Sequence, residues 1–222
     1  MSRKNFTIEK LIDGFLQFKS ENFLNSKNKI RYNNLVEKGQ QPKTMVIACS
    51  DSRVDPAILF NTKIGELFVV RNVANLVPPY IKKNDLNGVS SAVEYAVRDL
   101  KVKNIIILGH AFCGGISHLC NNLTKFNSND KQNSKREILD SWVSIALPVI
   151  KKLDLKKLND NSQHEAEKLS IKNSLKNLMT FPYVKDAALS GDLKLYGWWF
   201  DMKNGAIWDY KETENQFIKI KI

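Results

Sequence analysis

Two cysteines and one histidine stand where they can share a metal ion. Cys49 follows the apolar run Thr44-Met45-Val46-Ile47-Ala48, His110 follows the run Asn104–Leu108 after Gly109, and Cys113 comes three residues later. Short apolar runs of this kind read as buried parallel strands, and open α/β sheets build their functional crevices at the carboxyl ends of such strands. Two thiolates and an imidazole suit zinc and leave a fourth position open, as a catalytic site requires. The His110-x-x-Cys113 spacing lets both side chains reach one ion across a tight turn, with Gly109, Gly114 and Gly115 permitting close backbone approach. Spacing alone leaves a second reading open: a buried structural cysteine and a histidine capping a helix. Cys120 lies two helical turns past Cys113, about 10 Å away, too far to close the same site, and reads as core.

Asp51 and Arg53 lie just after Cys49, two residues apart and hence on one side of an extended segment. Such a pair can hold the carboxylate ionised and fix it by two hydrogen bonds. The aspartate could then take a proton from a metal-bound water, or ligate the metal itself. The alternative is a surface ion pair of little consequence.

The elements that must position these residues follow from periodicity. Residues 6–38 repeat apolar side chains at helical spacing until Gly39-Gln40-Gln41-Pro42 stops them. Leu67–Val70 reads as a second buried strand, and Gly88–Leu100 as a helix with Val89, Ala92, Val93, Ala96 and Val97 on one face. A helix is expected from about Cys113 to Leu123, a polar loop over 125–136, and helices near 137–153 and 163–179. Lys194–Phe200 and Ala206–Trp208 read as a hairpin. The layout is α/β: a mainly parallel central β-sheet flanked by helices, with an N-terminal helical arm and a C-terminal β-hairpin. A single domain over 1–222 is expected, with the arm at 1–39 and the zinc-binding core at 40–222.

Composition narrows the function. The chain has 222 residues and a formal net charge of +11, from 34 Lys and Arg against 23 Asp and Glu. The basic residues are spread out, with neither a basic tail nor an aromatic-interleaved stripe, so nucleic acid is not an expected partner. No apolar stretch is long enough to span a bilayer, so no membrane association is expected. The start, MSRKNFTIEKLIDGF, lacks the apolar run of a secretory signal. An odd cysteine count without such a signal points to a reducing, cytoplasmic setting.

Three segments carry a resemblance. Cys49-Ser50-Asp51-Ser52-Arg53-Val54, then Gly65 to Asn75 (GELFVVRNVAN), then Gly109-His110-Ala111-Phe112-Cys113-Gly114-Gly115 resemble the β-class carbonic anhydrases in order and spacing. The resemblance runs from about Gln40 to Ile116, with weaker features at Leu195-Tyr196-Gly197-Trp198-Trp199. It implies reversible hydration of CO2 to bicarbonate and a proton, by attack of a zinc-bound hydroxide. It implies one Zn2+ per chain on Cys49, His110 and Cys113, with Asp51 and Arg53 as the catalytic pair. It also assigns Gln40 to substrate, Phe68, Val73 and Tyr95 to a narrow CO2 pocket, and Gly114 to the same substrate-binding set. Without the resemblance, Phe68 and Val73 read as ordinary core.

Some bacterial members of that family carry a tryptophan three residues before the first zinc cysteine, as part of a bicarbonate-regulated site. Val46 stands there in this chain, which places it with the plant-like branch, where water rather than Asp51 is the expected fourth ligand. In that branch the pocket is shared across a dimer, so Gln40, Phe68 and Tyr95 would meet the zinc of a partner chain. Phe112 departs from the small or polar residue usual before the second cysteine and is expected to narrow or reshape the pocket. His118 and Tyr95 are conceivable proton relays, whereas His164, in a polar helix, reads as uninvolved.

The apolar N-terminal helix and the aromatic hairpin (Trp198, Trp199, Trp208) are more surface than a lone chain comfortably exposes. A homo-oligomer is therefore expected, a dimer or a dimer of dimers. Two other functions stay open at this point. A zinc-binding interaction module would need a fourth protein ligand and a clustered basic face. A hydrolase of carbonyl sulfide or carbon disulfide would use the same site on another linear substrate.

Overall fold

A computed structural model describes residues 7–82, 86–127, 136–153 and 159–221. The middle of the expected polar loop, 128–135, lies outside the described residues. The chain divides into two compact units, Met1–Gln41 and Pro42–Ile222.

In the N-terminal unit, α1 (Ile8–Lys19) runs into a wider π turn at Ser20–Leu24, and α2 (Ser26–Lys38) follows. Asn25 begins α2 by accepting from the amides of Lys27 and Asn28. Phe18, Phe23 and Tyr32 pack together between the helices. Ile8, Leu11, Ile12, Phe15 and Leu16 of α1 are exposed.

The second unit is built on one six-stranded sheet. Its elements in chain order are β1 (Thr44–Cys49), α3 (Pro56–Leu59), β2 (Leu67–Asn72), α4 (Gly88–Arg98), β3 (Asn104–His110) and α5 (Gly114–Asn121). Then come α6 (Leu123–Asn127), α7 (Glu137–Val143), α8 (Leu147–Ile150), α9 (Asp160–Leu178) and α10 (Pro182–Leu189). β4 (Lys194–Asp201), β5 (Ala206–Lys211) and β6 (Gln216–Lys219) close the chain. The strand order is β2-β1-β3-β4-β5-β6; the first four are parallel and the last two antiparallel.

β1 and β3 sit inside the sheet and are apolar on both faces. One face buries Met45, Ile47, Ile105 and Ile107 with residues of α4, α9 and α10. The other buries Val46, Ala48, Ile106 and Leu108, with Leu59, Phe60, Tyr196 and Trp198 against them. β2 departs from the expected buried strand: it is an edge strand, half-buried, with Val69 exposed. A continuous apolar run does not reveal how many neighbours a strand has.

Helix α9 lies close against the sheet. A Cβ built on Gly197 of β4 would stand 2.8 Å from both Ile171 Cγ2 and Leu175 Cδ1. The hairpin also differs from expectation. Trp199 is buried, Trp198 and Trp208 are half-buried, and Lys168 Nζ of α9 sits 4.3 Å over the Trp199 ring and 4.9 Å over that of Trp208. The tryptophans are thus covered largely within the chain. We predict that Gly197→Val destabilises the protein by about 2 kcal/mol through overpacking, read as a lower urea midpoint with an unchanged slope.

Candidate metal centre

The register of the sheet brings the three donors together. Ala48 lies opposite Leu108, so Cys49 at the end of β1 comes level with the end of β3, where His110 stands. A tight turn through Ala111 and Phe112 carries Cys113 back, and α5 begins at Gly114. Phe112 takes φ +57° in that turn, a left-handed conformation uncommon outside glycine. The ligand atoms of Cys49, His110 and Cys113 lie within 4.8 Å of one another, and all three residues are buried.

The chemistry of this set fits zinc. His110 Nδ1 lies 2.8 Å from the carbonyl of Ala111, which can only accept, so Nδ1 carries the proton. Nε2 is then left with a bare lone pair, and it is buried with no hydrogen-bond partner among the described residues. A buried polar atom in that state is costly unless something binds it, and a metal-binding histidine has this arrangement of its two nitrogens. The two thiols differ. The hydrogen bond from Cys113 holds the Cys49 thiol well below the usual range, against the effect of burial. The hydrogen bond to Cys49 and burial push Cys113 well above it. Burial opposes protonation of His110, but contact with Cys49 raises its pKa overall. Cys120 stands apart from the cluster, and burial pushes its thiol up to about 11.

Asp51 stands beside the cluster and outside it. Its Oδ1 accepts from Arg53 Nε at 2.9 Å and from the Arg53 amide at 3.0 Å, and its Oδ2 accepts from Arg53 Nη2 at 2.6 Å. These bonds hold the carboxyl well below the usual carboxylate range. Arg53 Nη2 also donates to the carbonyl of Phe112 at 3.2 Å. Arg71 ties down the backbone beneath the pair, donating to the carbonyls of Cys49 (3.0 Å) and Asp51 (2.6 Å) and to Asp55 (2.7 Å). Arg71 lies in the Gly65–Asn75 segment, and nothing in its local spacing marks this role, because its partners are 16 to 22 residues away.

The substrate-binding residues divide. Val73 follows β2 directly, 39% exposed, and a Cβ on Gly115 would stand 2.7 Å from its Cγ1. The Trp142 indole of α7 donates to the Val73 carbonyl at 2.7 Å. Gly114 is exposed at the start of α5. Phe68 is paired with Met45, four positions before Cys49, about 13 Å along the strand, and packs against Tyr95 at 6.0 Å. Tyr95 is 45% exposed. Within one chain, then, Phe68 stands away from the metal residues. Gln40 is exposed at the end of the N-terminal unit.

Three further side chains find partners. His118 is engaged by Asp140 at 2.6 Å. His164 is not an idle residue of a polar helix: its Nδ1 bonds Glu167 at 3.0 Å, and its ring lies 4.9 Å from Phe112 and 5.0 Å from Trp199. The bulk of Phe112 is taken up against that imidazole and the main core. Glu167 itself, buried behind Cys113, was missed. No local signal marks it, because its partner at the site lies 54 residues away.

The family model described as "Carbonic anhydrase" matches residues 44–207. "Beta carbonic anhydrase 3" of Arabidopsis thaliana is 37% identical over 219 residues, spanning 96% of this chain and 81% of the relative. The solved structure of the β-carbonic anhydrase CcaA superposes with a TM-score of 0.82 at 28% identity, over 96% of this chain and 92% of that one. One of two tetrameric β-carbonic anhydrases from Sordaria macrospora superposes at 0.70 with 26% identity, over 90% and 93%.

The Asp51–Arg53 pair generates a pH prediction. The folded-state pKa of Asp51 lies below its unfolded value, near 3.9. Its contribution to stability is therefore present above about pH 4 and is lost as pH falls through the folded value. Urea midpoints of wild type and Arg53→Ala should differ at pH 6 and converge as acid takes both below the carboxylate range. A difference that persists unchanged would mean the pair is not ionic.

Proposed function

The chain belongs to the carbonic anhydrase family, in its β class, and catalyses the reversible zinc-dependent hydration of CO2; from that premise we propose which residues do this. Cys49, His110 and Cys113 hold the zinc, one ion per chain, with the fourth position open to water. The observation that carries this is the unpaired, buried Nε2 of His110 facing two thiols. The engagement of Asp51 by Arg53 at both oxygens supports the open position, since it keeps the carboxylate from serving as a fourth ligand.

Zinc, when bound, would lower the pKa of water so that a nucleophile is available near neutral pH. The chain supplies the rest. Asp51, ionised throughout the working range, can only accept a hydrogen bond, so it orients the attacking water. Arg53 holds the carboxylate in that state and at that angle. Val73, packed against Gly115, and Gly114 at the start of α5 supply the side that takes CO2.

Gln40, Phe68 and Tyr95 complete the pocket of a partner chain. Two observations favour this: Phe68 lies four strand positions from its own Cys49, and Tyr95 is 45% exposed. The Sordaria relatives being tetrameric supports a homo-oligomer assembled as a dimer or a dimer of dimers. The whole chain acts as one catalytic domain, consistent with the span of the Arabidopsis relative's alignment. No helix among the described residues is long and apolar enough to cross a membrane, and three free thiols fit a reducing, cytoplasmic compartment.

Stopped-flow CO2 hydration with zinc quantified, beside Cys49→Ser, tests the assignment. Wild type should carry close to one zinc per chain and hydrate CO2 rapidly. The variant should lose the metal and more than roughly a hundredfold in rate. A Cys49→Ser chain that keeps full zinc and full activity would overturn the ligand set.

A further inference from the structure

Glu167 is 2% exposed, yet it carries a carboxylate. Burying such a group is costly unless it is fully hydrogen-bonded. Here Oε1 accepts from the Cys113 amide at 2.9 Å and from Gln163 Nε2 at 3.1 Å. Oε2 accepts from Trp199 Nε1 at 3.1 Å and from His164 Nδ1 at 3.0 Å. Four donors from β4, α9 and the metal turn thus converge on one side chain. Only a carboxylate accepts at both oxygens; a glutamine would turn an NH2 group toward some of these donors.

The first of those bonds has a particular consequence. The Cys113 N–H and the Phe112 C=O belong to one planar peptide unit. Its carbonyl accepts from Arg53 Nη2 at 3.2 Å, and its amide donates to Glu167 at 2.9 Å. The same peptide is therefore gripped from both sides, by a guanidinium on its oxygen and a carboxylate on its hydrogen. It joins Phe112, held at φ +57°, to Cys113. If the carboxylate were lost, the buried amide could find another partner only by rotating the peptide. That rotation would carry the carbonyl away from Arg53 and turn Cys113 with it.

We propose that Glu167 is a positioning residue that locks the 112–113 peptide, and through that one peptide couples helix α9 to both Cys113 and the Asp51–Arg53 pair. The proposal rests on the roles given above to Cys113 and Arg53. Its mark is dependence between Glu167 and Arg53, two side chains joined by a shared backbone group. A role limited to packing would leave their effects independent.

The test uses the zinc-loaded full-length protein and three variants: Glu167→Gln, Arg53→Ala and the double variant. Zinc loss to a colorimetric chelator, kcat/KM for CO2 hydration and thermal midpoints are measured on each. Glu167→Gln should release zinc roughly tenfold faster and lose roughly tenfold in kcat/KM. The double variant should lose much less kcat/KM than the product of the two single losses.

Zinc release at the wild-type rate in Glu167→Gln, or single losses that simply multiply, would overturn the proposal. Arg53→Ala with wild-type kcat/KM would overturn the assigned catalytic pair as well. If Glu167→Gln does not fold, Trp199→Phe removes one donor and leaves the carboxylate. It should then release zinc faster than wild type, and an unchanged rate would count against the lock.

Discussion

A lone pair on His110 Nε2, buried beside two thiols and without a hydrogen-bond partner among the described residues, is the constraint around which this structure is organised. The arrangement is unfavourable by itself. The imidazole is oriented by its other nitrogen on the Ala111 carbonyl, so it cannot turn to find another partner without breaking that bond. A bound cation would relieve the cost and take the place of the hydrogen bond that the Cys113 thiol donates to Cys49. The neighbouring backbone is shaped to keep these donors facing one another.

That shaping has three layers. The parallel register of β1 and β3 brings Cys49 and His110 to neighbouring strand ends. The left-handed turn at Phe112 folds Cys113 back toward them. Helix α9 then closes the rear: Glu167 bonds the Cys113 amide, while Ser174 and Asn177 bond the backbone of the 75–77 segment. Beside the cluster, Asp51 and Arg53 neutralise each other through two side-chain hydrogen bonds. Rigid support behind the donors suits a site that must bind and release small neutral and anionic molecules in turn.

The strand ends and their chemistry were legible because they are local. Cys49, Asp51 and Arg53 lie within five residues, as do His110, Cys113 and Gly114, and apolar runs lead into both groups. The supporting layer was not legible, for a physical reason. The buried face of α9 mixes Ala166, Ile171 and Leu178 with Glu167, Ser170, Asn173 and Ser174. Those polar side chains look solvated in sequence, but Glu167, Asn173 and Ser174 bond backbone groups 28 to 99 residues away. His164 was passed over for the same reason. The edge position of β2, the helix at Pro182–Leu189 and the strand at Gln216–Lys219 likewise depend on neighbours that periodicity does not name.

Zinc K-edge X-ray absorption on the metal-loaded protein at neutral pH tests the central assignment most directly. The account predicts two sulfurs, one imidazole nitrogen and one further light atom from an exchangeable ligand around a four-coordinate ion. A shell of three sulfurs, or of two sulfurs and two imidazoles, would contradict it, because the site would then be closed by protein and could not hold water for the reaction.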